Sequence, residues 1–275
     1  MSDNLAMPLY NWKELGLAKN VADEQQKEFC DTSIYQILPV KYLLKILRNQ
    51  SLRFNNIVIS WEDPYELFLL KQKIHIEGRG ESVCNTRLLY NYYGQCWSLQ
   101  RESDAMWRIY SRDREGVRIK TSVLKMIKVL DQTRGMMWTC PLFGRVSYHT
   151  QNEISDWINM VSENGSGNIY SSFSESLFIK RSEFEHENEV RFIILNGNLE
   201  NDPVPKNVHS DHIEMPIDPY DFIEEIALDP RLSDDDFLDR KTVLSSICKN
   251  IPISKSDLYA FESKDLYFKE TPMRL

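Results

Sequence analysis

The sequence predicts a single domain of the α+β class, and three observations carry that reading. Val40, Leu43, Leu44 and Leu47 recur at i, i+3, i+4 and i+7, the spacing of one apolar helix face. From Glu187 to Ile194 the pattern changes to period two, with Glu187, Glu189 and Arg191 on one side and Val190, Phe192 and Ile194 on the other. Between such segments strands and helices mix without regular βαβ alternation, which argues against a doubly wound sheet.

The elements follow in order. Residues 1 to about 30 are polar and weakly periodic and are expected to form an arm, leaving 31–275 as one domain with a polar C-terminal tail. IYQI at 34–37 is a short strand, and Pro39 suits the first turn of the helix that follows. LRFNNIVIS at 52–60 is β-rich and runs into WEDPYE, where Asp63, Pro64 and Glu66 take the N-cap, N1 and N3 places of a capping box. QCWSL at 95–99 is a buried strand, AMWRIY a short helix and GVRIKT a strand after the RDREG turn. Ser122 caps a helix carrying Val123, Ile127 and Leu130, and LFGRVSYH at 142–149 is a strand. Ile154, Trp157, Ile158 and Val161 mark another helix, and SENGSGN at 162–168 is a loop. HIEMPI and FIEEIAL are strands about a DPYD turn, and a helix from Ser233 to about Lys249 carries acids in its first turn, as the helix dipole favours. IPISKSDLYAF supplies the last strand.

Composition narrows the function. With 275 residues, 42% hydrophobic and 27% charged, the chain can build an ordinary globular core. A net charge of -8 disfavours a general nucleic-acid coat, although RLLYNYYG and WRIYSRDREGVRIK pair arginines with aromatics locally. The five scattered cysteines form no CxxC pair, which points to reduced thiols in a cytoplasm. There is no apolar run near eighteen residues and no basic-then-apolar start, so neither a membrane span nor a secretory signal is expected. GxGxxG, phosphate-loop and GxSxG signatures are absent. His209, Asp211, His212 and Glu214 in HSDHIE lack helical i, i+4 spacing, and no metal is expected.

That leaves ENEVR at 187–191. Two carboxylates two residues apart on a strand sit roughly 6.5–7 Å apart along the chain. They form either a solvated face with a weak ion pair or the wall of a cleft. In the second case Arg191 holds one carboxylate and leaves the other free to act on a substrate.

Several segments in the same order resemble a large, mostly bacterial domain-of-unknown-function family grouped with the ADP-ribosyltransferase-like folds. They are IYQILPVKYLLKILRNQSLRF, WEDPYE, CWSLQRESDAMWRIYSRDREGVRI, FIKRSEFEHENEVRFI with its K…E-x-E-x-R pattern, and FIEEIALDPRLSDDD. The resemblance covers about Ile34 to Leu258. It implies two small split antiparallel sheets around a cleft that holds NAD as substrate, with no metal. It further implies ADP-ribosyl transfer to a macromolecule, protein or nucleic acid, or NAD glycohydrolysis, in a bacterial toxin or defence role. Glu189 takes the place of the catalytic carboxylate, Glu187 that of the acceptor-orienting member of the pair, and Arg191 positions both. Gln36, after Tyr35, stands where the family places His or Arg toward the adenosine ribose. Ser98 or Ser171–Ser172 stand in for a serine motif, and Trp61, Trp107 and Tyr110 are candidate stacking surfaces. Gln36 and the missing serine motif also admit a non-catalytic nucleotide- or protein-binding sensor on the same fold.

Overall fold

The computed structural model describes residues 10–11, 29–69, 71–72, 74–75, 82–83, 91–135, 139–163, 169–196 and 209–269. In chain order the elements are β1 (Tyr10–Asn11), β2 (Ser33–Pro39), α1 (Val40–Asn49), β3 (Ser51–Asn56), α2 (Ile57–Ser60) and a 3-10 helix at Pro64–Leu67. Next come β4 (Ile74–His75), β5 (Ser82–Val83), β6 (Tyr92–Ser98), α3 (Asp104–Tyr110), β7 (Gly116–Ser122), α4 (Val123–Asp131) and a 3-10 turn at Gln132–Gly135. They are followed by β8 (Thr139–Arg145), β9 (Ser147–His149), α5 (Gln151–Glu163), α6 (Ile169–Ser176), β10 (Ile179–Arg181), a 3-10 helix at Ser182–Glu187 and β11 (Glu189–Asn196). The chain ends with β12 (His212–Pro216), α7 (Pro219–Phe222), β13 (Glu225–Leu228), α8 (Asp234–Ile247) and β14 (Ile253–Lys255).

The mixed α+β class is observed. Among the described residues one sheet runs β1-β8-β11-β6-β2-β7-β13-β14, with β12 and β3 branching from β6. Tyr10 pairs with Phe143, so this part of the expected N-terminal arm is stitched to the sheet edge. Among the described residues the sheet is sparsely paired at its centre. β6 is paired with β11 along its whole length, but its other edge is divided between β3, at Gly94 and Tyr93, and β2, at the single pair Tyr35↔Ser98. Where the β2 and β6 backbones part, the Gln36 amide donates to the Cys96 carbonyl at 3.0 Å and takes the place of a ladder bond.

Alternation sorts the two faces. Ile34, Leu38, Trp97, Ile119, Val190, Phe192, Ile194 and Ile226 share one face and are buried under Leu43 and Leu47 of α1 and Met126, Ile127 and Leu130 of α4. On the other face Leu142 and Ile193 pack with Leu67, Phe68, Ile154, Phe173 and Leu177, while α3 lays Met106 and Trp107 over Ile37. Burying each such side chain contributes about 1.5–3 kcal/mol.

Local signals were followed closely where a cap is involved. Ser122, Ser103 and Ser233 each accept a backbone N–H as N-caps, and Asp234, Asp235 and Asp236 load the first turn of α8. Four expectations are corrected. The β-rich IVIS segment is helical because the Asn56 side chain accepts the Val58 N–H and starts a turn. DPYD is a short helix capped by Asp218. LFGRVSYH breaks at Val146, whose N–H goes to Glu189 rather than along a single strand. Leu44, expected on the apolar face of α1, is 38% exposed. The SENGSGN loop falls mostly outside the described residues.

Candidate functional site

The site is built where β10 and β11 meet the 3-10 helix between them. That helix ends at Asn188, whose φ of 42° is left-handed, a conformation Asn tolerates better than most residues. The strand therefore starts at Glu189, and Glu187 lies outside it, so the expected alternation from Glu187 is corrected. The reversal still folds Glu187 back beside Glu189. Ser98 secures it by donating its hydroxyl to the Glu187 carbonyl at 2.8 Å, and Leu99 donates its N–H to the Asn188 carbonyl at 2.8 Å.

Five charged side chains converge here. Lys180 of β10 donates to Glu187 Oε2 at 2.6 Å and to Glu189 Oε1 at 2.7 Å, and its Nζ lies 3.4 Å from Glu66 Oε1. Arg191 donates from Nε to Glu189 Oε2 at 2.8 Å, from Nη1 to the Leu177 carbonyl at 2.7 Å and from Nη2 to Glu66. The Trp61 ring centre lies 4.1 Å from the guanidinium carbon. Tyr110 of α3 closes the outer end by donating its hydroxyl to Glu187 Oε1 at 2.8 Å, and the Tyr148 hydroxyl accepts the Glu189 N–H at 2.8 Å.

The cluster is internal. Glu66, Lys180, Glu187 and Glu189 are 5–8% exposed and Arg191 is fully buried. Of the two alternatives the solvated face is thus corrected to a covered ion network, in which Arg191 holds Glu189 together with Glu66 and leaves Glu187 to Lys180 and Tyr110. Glu66 is corrected as well. Asp63 caps the Tyr65 N–H and pairs with Arg181, as a cap residue should, but Glu66 turns inward to the two cations instead of completing a capping box.

Three carboxylates share two cations, so with every group ionised one negative charge is in excess. Burial pushes the Glu187 carboxyl up from its ordinary value, and the neighbouring Glu189 adds to the push, while Lys180 opposes it. Burial would raise Glu189 too, but Arg191, the hydrogen bond with Glu187 and Lys180 together hold it well below its ordinary value. Burial would lower Lys180, and Glu189, Glu66 and Glu187 instead keep it above its ordinary value. The surplus charge therefore falls on Glu187, which is the proton-accepting member of the pair.

The two shifts have opposite linkage. The Glu189 contribution to stability is present above 4.5 and is lost as pH falls. The Glu187 contribution is present below 4.5 and is lost as pH rises through its raised folded-state value. Glu187→Gln mimics the protonated acid at every pH. Urea unfolding from mildly acid to mildly alkaline pH is expected to show the wild type losing stability relative to this variant as pH climbs. A constant difference would mean that Glu187 titrates as a solvated side chain.

The other expected site residues divide. Register places Glu189, Ser98 and Tyr35 side by side on one face, with Lys120 beyond Tyr35. Trp61 and Tyr110 also reach this cluster, although Tyr110 contributes its hydroxyl there. Gln36 projects to the opposite face, with Ile34 and Leu38, and its amide is committed to the Cys96 carbonyl. Trp107 is fully buried beside Ile37 and Met106, with its indole N–H on Glu102 at 2.7 Å, so it offers no stacking surface. Ser172 is buried in α6, and the Ser171 side chain lies outside the described residues. His209 and His212 stack at 4.4 Å while Asp211 takes His212 Nδ1 at 2.7 Å. No group of three or more His, Cys, Asp or Glu among the described residues is arranged to hold a metal ion. In the basic stretch around α3, Arg108 pairs with Asp104 and Arg118 is buried against Glu102 and Glu225. Arg87 of RLLYNYYG lies outside the described residues. No described helix is long and apolar enough to cross a membrane.

The places of Lys180, Glu66 and Tyr148 in the ion network, and the hydroxyl role of Tyr110, do not follow from the sequence pattern. The signal for Lys180 was a cation placed directly after the apolar run Leu177, Phe178 and Ile179 and opening the K…E-x-E-x-R pattern, a position where a charge needs buried partners.

Residues 106–192 match the model of a family described as a protein of unknown function, DUF2971. No curated protein matches the chain. Among solved structures the chain is similar to DarT of Thermus sp. 2.9 in complex with ADP-ribosylated single-stranded DNA and in complex with NAD+. The TM-score is 0.36 and the identity 13% for both, with 84% of this chain covered and 97% and 98% of those chains. The DarT complex with carba-NAD+ is similar at a TM-score of 0.34.

Proposed function

We propose that this protein consumes NAD, breaking the bond between nicotinamide and ribose and passing ADP-ribose to a macromolecule or to water, in a bacterial toxin or defence role. The observation that carries the reading is the unbalanced cluster, in which a low-pKa carboxylate, Glu189, is fixed by two cations beside a less compensated one, Glu187. The positive charge of the NAD pyridinium moves onto the sugar as the glycosidic bond breaks. A carboxylate already oriented in a water-poor place stabilises that charge without reorganising. Glu189 is assigned as that carboxylate, Glu187 orients the acceptor and Arg191 positions Glu189. Tyr35 and Ser98, on the same face, are assigned to the bound nucleotide, with Trp61 and Tyr110 as aromatic walls. The parting of β2 from β6 beside them is where two half-sheets would open a cleft. The K…E-x-E-x-R resemblance at Lys180 to Arg191 supports the same assignment.

A second reading is favoured by one observation. Both cations are fully engaged within the cluster, and Gln36 is engaged in the sheet, as in a binding module without turnover. Incubating the purified chain with NAD and following free nicotinamide, alongside calorimetric titration with NAD and ADP-ribose, separates the two. Release of nicotinamide is expected. Nucleotide binding without release over hours would establish the sensor, and neither signal would remove NAD from consideration.

A further inference from the structure

We propose that the C-terminal segment 256–259 is a strap that sets the charge of the Glu187 site from a distance, by holding α3 where Tyr110 meets Glu187. α3 has seven residues, too few to be stable on its own, so its position depends on what anchors it. At its C-terminal end Arg231 donates to the Trp107 carbonyl at 3.1 Å, and Ser111 bonds to Asp229. Its N-terminal end is held by the strap. Ser256 donates its N–H to the Leu228 carbonyl at 3.0 Å and its hydroxyl to Glu102, the buried acid that also takes the Trp107 indole N–H. Asp257 pairs with Arg101 at 3.0 Å, and Tyr259 donates its hydroxyl to Asp104 in the first turn of α3. Leu258 packs on the Ile37, Met106 and Trp107 cluster. From Ala260 to Lys269 the chain is exposed throughout, so the C-terminal segment's hold on this end lies at 256–259, and it shares Glu102 with the buried Arg118 of β7. Tyr110, one turn beyond Trp107, is 41% exposed, and its bond to Glu187 is what brings it into the site.

As regulation of NAD turnover the strap rests on the reading above; as control of Glu187 it stands apart from it. The groups that meet at this site are Tyr110 from α3, Lys180 from β10, Glu189 and Arg191 from β11, Cys96 from β6, Glu66 from the 3-10 helix and Tyr148 from β9. Of these only Tyr110 rides on α3.

The test is a double-mutant cycle read by carboxyl-carbon NMR of the full chain, with the Glu187 resonance assigned through Glu187→Gln. Tyr110→Phe keeps the ring but removes the donor, so the Glu187 midpoint should rise by about half a pH unit or more. In a chain carrying Ser256→Ala, Leu258→Ala and Tyr259→Phe, the same change at 110 should shift the midpoint little, because the hydroxyl has already left. Equal shifts in both backgrounds would overturn the strap. Should the triple variant fail to fold, Tyr259→Phe with Asp257→Asn, both at exposed positions, is read the same way and should shrink the Tyr110→Phe shift by about half. No step uses NAD turnover, so failure of the strap and failure of the NAD reading give different results.

Discussion

Arg191→Met is expected to lower the unfolding free energy by about 3–5 kcal/mol, a large share of the roughly 5–15 kcal/mol that holds a domain of this kind together. The side chain is fully buried, and its three donor positions go to Glu189, the Leu177 carbonyl and Glu66. Methionine fills much of the volume but leaves three carboxylates, Glu66, Glu187 and Glu189, sharing Lys180 alone and one carbonyl without its donor. Adding Glu66→Gln removes one of the stranded charges and should restore part of the loss. Urea unfolding of the two single variants and the double measures this as a non-additive term. A loss below about 1 kcal/mol for Arg191→Met would mean that water reaches the cluster freely, which is the behaviour of a solvated strand face.

The half of the sheet that faces the larger core was legible because it is written in local terms. Val190, Phe192 and Ile194 alternate, Leu43 and Leu47 keep helical spacing, and Ser122 and Ser233 sit where a cap must be. The polar half was not legible in the same way, since its meaning depends on partners far away in the chain. Glu66 lies 125 positions from Arg191, and no periodicity links them. Local chemistry even misdirected the reading. The Asp63, Pro64 and Glu66 spacing fits a capping box, and Asp63 does cap, yet two buried cations attract Glu66 more strongly than a backbone N–H at a helix start. Glu187 was misplaced for a different reason. A single left-handed residue, Asn188, ends one element and starts another, which period-two counting cannot register.

Glu189→Gln and Glu66→Gln, taken together, decide whether the cluster only holds the fold or also serves the proposed reaction. Each removes one carboxylate from the same two cations, and each should lower the melting temperature by a similar amount, since both acids are nearly buried and both bond to Arg191. Their places differ. Among the described residues the Glu66 carboxylate bonds to the cations alone, whereas Glu189 stands at the start of β11 beside Glu187, in register with Ser98 and next in line to Tyr35. If a sugar cation forms there, losing the Glu189 charge removes stabilisation present chiefly in the transition state. Nicotinamide release should then fall about 10²–10³-fold, as when a preorganised electrostatic partner is lost elsewhere. Glu66→Gln should stay within about tenfold of wild type, because its contribution reaches the reaction only through Arg191 and Lys180. Initial rates taken well below both melting temperatures make the comparison independent of unfolding. Parallel losses of rate in the two variants, tracking their losses of stability, would leave the network a structural brace and move any chemistry elsewhere in the molecule.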